Sequence, residues 1–435
     1  MRRVIPTLFL LLGAGLALVF TAAASPAAAA ASPPLQLAPL LEEALRNRPA
    51  LRAARLEAVA KEAEIGPRGA YEDPMVGFTA MNYPTDTFSA GEFGMTANEI
   101  SLSQKIPFPG KLTKQRAATR YEHQSKTQDY HQRKLELVKE VKVVFYELFL
   151  AYKKRDILNE QIAILDQLIS VTRSKYTLGK VIQAELLGLQ AEEGNFRDQL
   201  FTAEKQIRSK TAELARAVGR ESADGFGRPE EFRKTPLNFG KITERGLSDR
   251  ALANSPALKS ARAGLDATQE KLSFARWSYL PDFEFRMAYA QRQPSPGDRG
   301  VALVSGGVAL SIPLWAFSKQ SEEVRGAVAG KTRAEALVDE EQNALIQKVH
   351  VMYSELEEAS KRLNLFEGGL VPLARQAVFA SKSAYLSGKM DYGALSSLLR
   401  TRFQTEFAYN EALANYESRI AELEALLGEP LGEPR

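Results

Sequence analysis

Three histidines, His123, His131 and His350, are the first candidates for metal or acid–base chemistry in this chain of 435 residues. His123 and His131 are eight positions apart, so one helix face can hold both. Two turns of helix nevertheless separate them too widely to ligate one ion. They read as solvated helix surface. Carboxylates are plentiful but sit among lysines and arginines, as in EEALR (42–46) and AEEGNFRD (191–198), the pattern of a solvated face with i,i+4 pairs. The seven methionines do not cluster, and no glycine-rich phosphate loop, nucleophile elbow or HExxH motif is present. Cysteine is absent, which removes disulfides, thiolate metal sites and a lipid-carrying cysteine. The sequence points away from an enzyme and implies neither a cofactor nor a metal site.

Charge narrows the partners. Fifty-seven basic residues against 53 acidic leave a net +4, too little to argue for nucleic acid. Met1-Arg2-Arg3, the apolar Val4–Phe20 and the alanines after it read as a secretory signal, with the mature chain starting between Ser25 and Ser32. A single membrane anchor is the alternative. No later window is apolar enough to span a bilayer as a helix, so a membrane location requires strands.

Two short segments stand out as places where a partner could act. They are Tyr176-Thr177-Leu178-Gly179-Lys180-Val181 and Tyr385-Leu386-Ser387-Gly388-Lys389-Met390, each between two long helical stretches. Glycine there permits the left-handed turn that ends one helix before the next begins. Each is at least a hairpin turn. If both copies lie at one end of a tube, they are also where a partner docks or a pore closes, with Lys180, Glu185, Lys389 and Asp391 the nearby charges.

The elements that position these turns come in two sets. ISLSQKIPFPGK (100–111) and VALSIPLWAFSK (308–319) each alternate apolar with small or polar residues, then end at Ile-Pro before a long helical segment. ALRNRPALRAAR (44–55) matches ALANSPALKSAR (251–262) at eight of twelve positions, a shift of 207. The same shift pairs Pro74 with Pro281, Phe78 with Phe285, Val144 with Val351 and Tyr146 with Tyr353. At 209, SKYTLGK (174–180) meets SAYLSGK (383–389). This is an internal duplication of about two hundred residues. Each copy reads helix, strand, loop, strand, long helix, turn, long helix.

The predicted strands run over 74–83 and 93–106 in the first copy, and around Phe283–Tyr289 and Val304–Ile312 in the second. Pro74, Pro107, Pro281 and Pro313 mark the four strand–helix junctions. One apolar and one polar face per ten-residue strand suits a membrane barrel, or a half-buried sheet in a soluble protein. Aromatics near the strand ends (Tyr71, Tyr83, Phe93, Phe108, Trp277, Tyr279 and Trp315) resemble interfacial girdles. Four strands cannot close a barrel, so an oligomer must complete it. From Gly110 to Arg228 there is no proline, and Lys111–Tyr176 as one helix would reach roughly 100 Å. Pro372 predicts a kink in the second copy. The chain divides into signal and linker (1–31), first repeat (32–220), connecting segment (221–245), second repeat (246–428) and a loose tail (429–435).

With its repeat, its Ile-Pro strand exits and its repeated Tyr-x-x-Gly turns, the chain resembles the TolC family of outer-membrane factors over nearly all of the mature sequence. IPFPGK (106–111) is similar to the branch serving cation pumps of the cobalt–zinc–cadmium and copper–silver type. The resemblance implies a mainly α protein with a membrane β part: a duplicated αββαα repeat, four strands per chain in a shared trimeric outer-membrane β-barrel, and long helices in a periplasmic α-helical barrel. It implies a homotrimer in outer-membrane lipid of a Gram-negative bacterium. Its partners would be a periplasmic adaptor and an inner-membrane transporter of the resistance-nodulation-division or ABC type, and the chain itself a passive exit duct. Two departures matter. Many relatives carry an acylated cysteine and this chain has none. Some carry pore aspartates at the second tip, where Ala394 and Ser397 stand here, leaving Asp391 or Glu185 as substitutes. A structural or adhesive coiled-coil envelope protein, or a periplasmic adaptor, remains the competing expectation.

Overall fold

The computed structural model describes residues 34–240 and 242–431; the signal segment and the last four residues of the tail lie outside them. Helix breaks follow the prolines. α1 (Leu37–Asn47) and α2 (Pro49–Arg68) part at Arg48, and α5 (Glu244–Asn254) and α6 (Pro256–Trp277) part at Ser255. Proline at the first helical position starts a new helix because its missing N–H is one that no helix start can satisfy. Ser255 caps α6 by accepting from the Leu258 N–H at 3.5 Å.

Between α2 and α3 lie β1 (Met75–Met81) and β2 (Ala97–Ile106); after α6 come β3 (Asp282–Arg292) and β4 (Leu303–Ser311). All four form one antiparallel sheet in the order β1-β2-β3-β4. β2 and β3 pair along ten residues although 175 residues, 107–281, separate them. β1 is shorter than the predicted 74–83, and β2 starts at Ala97 rather than Phe93. The reason is local: the Asn82 amide donates to the Met95 carbonyl and the Thr96 hydroxyl to the Asn82 carbonyl, both at 3.0 Å. These bonds turn the chain before the ladder can lengthen.

α3 (Lys111–Thr177) is a single helix of 67 residues, about 100 Å long, and α4 (Gln183–Val218) returns along it. In the second copy the outgoing path is divided: α7 (Gln320–Leu365), a π-helical turn (Phe366–Leu370), then α8 (Val371–Leu386) before α9 (Tyr392–Leu427) returns. The break predicted from Pro372 is therefore a wide turn placed just ahead of the proline. No described helix is long and apolar enough to cross a membrane.

Near the sheet, α2, α3, α6 and α7 lie side by side in that order, which is the order of the strands each is joined to. The sheet thus continues into a layer of four helices. Buried residues form three clusters: one of α1, α3 and α4, one of α5, α7 and α9, and one at the far end joining both helical hairpins. The connecting segment is irregular and packs between the copies. Phe232 stands 4.5 Å from the Phe149 ring and 4.9 Å from Tyr146. The described part of the tail is held rather than loose: Glu429 pairs with Arg250 at 2.5 Å, and the Leu431 N–H donates to Glu424.

Burial also corrects the repeat register. Leu137, Val141, Leu148 and Ala151 of α3 are buried, and so are Leu345, Val349, Leu356 and Ala359 of α7. That is a shift of 208, which also aligns Val143 with Val351 and Glu147 with Glu355. The pairings of Val144 with Val351 and Tyr146 with Tyr353 are off by one residue, because matching letters alone do not report which side of a helix is buried.

Candidate functional site

Two surfaces carry the features a conduit needs. The first is the sheet. Strand register puts Val76, Phe78, Ile100, Leu102, Phe285, Met287, Tyr289, Val304 and Val308 on one face. Each is between 45% and 75% exposed. The opposite face holds Thr79, Glu99, Ser101, Arg286 and Ser305, with Arg286 bonded to Glu99 at 2.8 Å. β1 and β4 each have one unpaired edge. An apolar face this large has no place in water, and open edges invite further strands.

The strand–helix corners are built, not merely bounded by proline. Pro74 and Pro281 immediately precede β1 and β3, Pro107 follows β2, and Pro313 lies two residues past β4. Lys111 and Asp282, which the sequence did not pair, hold the two copies together there. The Lys111 ammonium donates to the Asp282 carboxylate at 2.7 Å and to the Leu280 carbonyl at 2.8 Å, while the Phe108 N–H donates to the same carboxylate at 2.9 Å. Of the aromatics read as girdle, Tyr71, Phe93 and Trp315 are well exposed. Phe108 and Trp277 instead pack edge to face at 6.1 Å. Tyr83 spends its hydroxyl on Asn98.

The second surface is the far end of the helices. Both turns close alike: Gly179 and Gly388 have φ of +68° and +75°. The Lys180 N–H donates to the Lys175 carbonyl at 2.9 Å, and the Lys389 N–H to the Ala384 carbonyl at 2.8 Å. Their tyrosines then diverge. Tyr176 is 40% exposed, whereas Tyr385 is 3% exposed. The Tyr385 and Thr172 hydroxyls are 2.7 Å apart, and Lys175 donates to the Tyr385 and Leu386 carbonyls at 3.1 and 3.2 Å. Burial pushes the Tyr385 phenol above its ordinary value. Slightly further from the tip, Lys382 donates to Gln167 at 2.9 Å, and Arg400 reaches back from α9 to Glu192 on α4.

The predicted charges fare differently. Asp391 caps α9, accepting from the Ala394 N–H at 2.9 Å. Glu185 lies in the first turn of α4, near enough to Tyr385 to add to the upward push on its phenol. Lys180 and Lys389 are exposed. The bridging residues Thr172, Lys175, Gln167 and Lys382 escaped the sequence reading. One signal was available: Leu158, Ile162, Leu165, Ile169 and Thr172 follow alternating four- and three-residue steps, so Thr172 is a polar side chain in the buried seam.

Two other readings need correction. Glu192, placed on a solvated face, is 7% exposed and pairs across helices. Glu43 of EEALR likewise bonds Arg220, at the end of the first repeat, at 2.5 and 2.7 Å. His123 is half-buried with its Nδ1 3.0 Å from the Ala58 carbonyl of α2, not solvated. His131 is exposed, and His350 lies 2.7 Å from Glu244.

An apolar-faced, open sheet continued by a long helical layer defines one subunit of an outer-membrane channel. The outer membrane efflux protein model matches residues 40–220 and 247–429, so the chain belongs to that family. It is 25% identical over 356 residues to Protein CyaE of Bordetella pertussis, covering 78% of this chain and 74% of that one. Its fold matches the outer membrane protein VceC of Vibrio cholerae with a TM-score of 0.76, at 16% identity over 91% of this chain and 96% of that one. It also matches the open state of the Neisseria gonorrhoeae MtrE outer membrane channel at 0.74, with 13% identity and coverage of 91% and 89%. Family and fold are those of a channel, not an enzyme.

Proposed function

We propose that three copies of this chain form the passive exit duct of a tripartite efflux system. Each copy contributes four strands to a common barrel and its helices to a periplasmic tunnel. The observation that carries this reading is the four-stranded sheet whose apolar face and two edges are left without partners by its own chain. Residues 32–220 and 246–428 act as the two equivalent staves, joined by 221–245. The tips around Tyr176, Gly179, Lys180 and Glu185, and around Tyr385, Gly388, Lys389 and Asp391, meet a periplasmic adaptor or close the pore. The Thr172–Tyr385 contact is the latch that keeps the two hairpins together. Energy comes from an inner-membrane transporter, and the cargo is small solutes. Heavy-metal cations are the class that the IPFPGK segment favours.

Fractionation tests the reading. The chain should partition with outer membrane, run as a heat-modifiable trimer and conduct in planar bilayers. Recovery as a washable monomer without conductance would return it to the structural coiled-coil class.

A further inference from the structure

The chain contains one complete joint between its copies and the two halves of another. β2, its corner and α3 of the first copy meet α6 and β3 of the second. β4, its corner and α7 repeat the first set, and α2 and β1 repeat the second. Yet these halves lie at opposite edges of the sheet and of the helix layer. The complete joint is held by Lys111 on Asp282, by Phe108 against Trp277 and Phe283, and by Ser260 of α6 on Ser125 and Asp129 of α3.

The open halves place the same contacts on different residues. α2 corresponds to α6 at a shift of 207, which puts an exposed Ala70 where Trp277 stands. The missing aromatic comes from the other side. Three residues, Phe108 to Gly110, join Pro107 to Lys111, but five, Leu314 to Ser318, join Pro313 to Lys319. The longer corner carries Trp315, 73% exposed, with Leu314 and Phe317 also bare. Gly110 leaves room for the Trp277 ring, whereas none of the five residues has a left-handed φ. Size is exchanged along the helices too. Ala263, on the side of α6 that meets α3, is 8% exposed, while its equivalent Leu56 is 58% exposed. Glu122, which pairs with Lys271 of α6 at 2.5 Å, and Ala118 one turn before it become Gly330 and Gly326 of α7 at the 208 shift. Both glycines have open space around them. A larger side chain on α2 therefore suits a shallower surface on α7. Charge follows the same pattern. Lys319 takes the place of Lys111, and Asp73 adjoins Pro74 as Asp282 adjoins Pro281. Lys319 and Asp73 are exposed, and neither has an ion-pair partner among the described residues.

We propose that the joint between chains is a remade version of the joint within one. β4, the Pro313–Lys319 corner and α7 of one chain close on β1 and α2 of the next. Trp315 packs over the next chain's Ala70, the next chain's Leu56 seats between Gly326 and Gly330, and Lys319 bonds the next chain's Asp73. The strand register follows. Gln104 stands opposite Phe285 and Ile106 opposite Phe283 within the chain, so Leu310 stands opposite the next chain's Phe78, and Ile312 opposite its Val76. A step of one residue would set lipid-facing side chains against lumen-facing ones. A second copy fits this corner better than lipid, because every chain presents both halves and they complement each other in size and charge. The inference rests on the trimeric channel reading and adds the residues and register of its seams.

Because the chain has no cysteine, pairs can be placed cleanly. β1 and β4 are the outer strands of four, about 14 Å apart, so a disulfide between them joins two chains. With copper phenanthroline, Phe78→Cys with Leu310→Cys should yield at least about fivefold more covalent dimer and trimer than Val76→Cys or Ala80→Cys with Leu310→Cys. Cysteines two residues out of step are beyond disulfide reach. Lys319→Glu and Trp315→Ala should each lower the temperature at which the trimer separates in SDS, and Asp73→Lys should restore the first but not the second. Trp277 and Trp315 are the two tryptophans, so Trp277→Phe and Trp315→Phe each leave one emitter. In brominated phosphatidylcholine vesicles Trp315 should be quenched no more than Trp277. Stronger quenching places lipid at the corner and overturns the joint. A conducting trimer that crosslinks better at an offset pair, or whose Lys319→Glu form Asp73→Lys does not rescue, overturns the joint and leaves the channel reading standing. A wild-type chain that stays monomeric overturns both.

Discussion

At the scale of residues, buried carboxylates set the conditional part of the stability. Glu417 on α9 is 4% exposed and accepts from the Thr235 N–H and hydroxyl at 2.6 and 2.8 Å. Burial holds its carboxyl above the ordinary value, against the pull of the Thr235 bonds and Lys142. A raised acid gives stability that is complete below its unfolded value and is lost as pH rises through its folded one. Glu417→Gln should therefore unfold at higher temperature than wild type at pH 7–8, with the gap closing toward pH 4. Glu43 has the opposite sign. Its hydrogen bonds to Arg220 hold it below the ordinary carboxylate range, so this contribution exists above that range and fades as pH falls. Arg220→Ala should cost about 0.2–1 kcal/mol at pH 7 and nothing near pH 2, because the carboxylate is partly solvated. Glu192 is more deeply placed. Removing its partner with Arg400→Ala leaves an unpaired buried charge and should cost about 1–3 kcal/mol, while Glu192→Leu should be much milder. Denaturation midpoints of the three variants decide the order.

At the scale of elements, glycine marks corners of two kinds. Gly110 has φ +102°, and a side-chain carbon there would lie 2.1 Å from the Trp277 ring. Gly179 has φ +68° with open space around it. Gly179→Ala should cost only the left-handed backbone, about 1–2 kcal/mol. Gly110→Ala should add a clash with the ring and the Lys111–Asp282 corner, and should prevent trimers from accumulating. Thermal melting and trimer yield would separate the two. These glycines, like the prolines at the strand ends, were legible in the sequence because each acts on its own backbone. The partners around them were not. Nothing in IPFPGK indicates that Lys111 will meet Asp282, since their contact depends on β2 pairing with β3 across the 175 residues between them. The length of α3 was readable from the absence of proline, and unequal repeat shifts showed extra length in the second copy, but that it is a single residue between Ala359 and Tyr385 became visible only as a change in which side is buried.

At the scale of the whole molecule, one face of the sheet must meet lipid and the other the lumen. A one-residue step in a strand exchanges the two. Val304→Arg should block outer-membrane insertion, since arginine on a lipid face costs about 2–4 kcal/mol near the midplane. Ser305→Arg, the next residue along, should insert and alter only conductance. The heat-modifiable trimer recovered from outer membrane reads the first outcome, and single-channel current the second. Equal tolerance of both arginines would mean the faces are assigned wrongly.

The sequence alone determined the duplication, the strand alternation, the prolines at the strand ends, and the two glycine turns. Each depends on periodicity or on backbone preferences that a residue carries wherever it is placed. Only the tertiary structure decided that Tyr385 is buried while Tyr176 is not, that Glu192 and Glu43 bridge helices, and that α7 and α8 are divided by a π-helical turn. Those outcomes depend on which surfaces the long helices present to one another. A shift of one residue rotates a helix by about 100 degrees, and similar letters in two repeats do not fix that angle until packing chooses it.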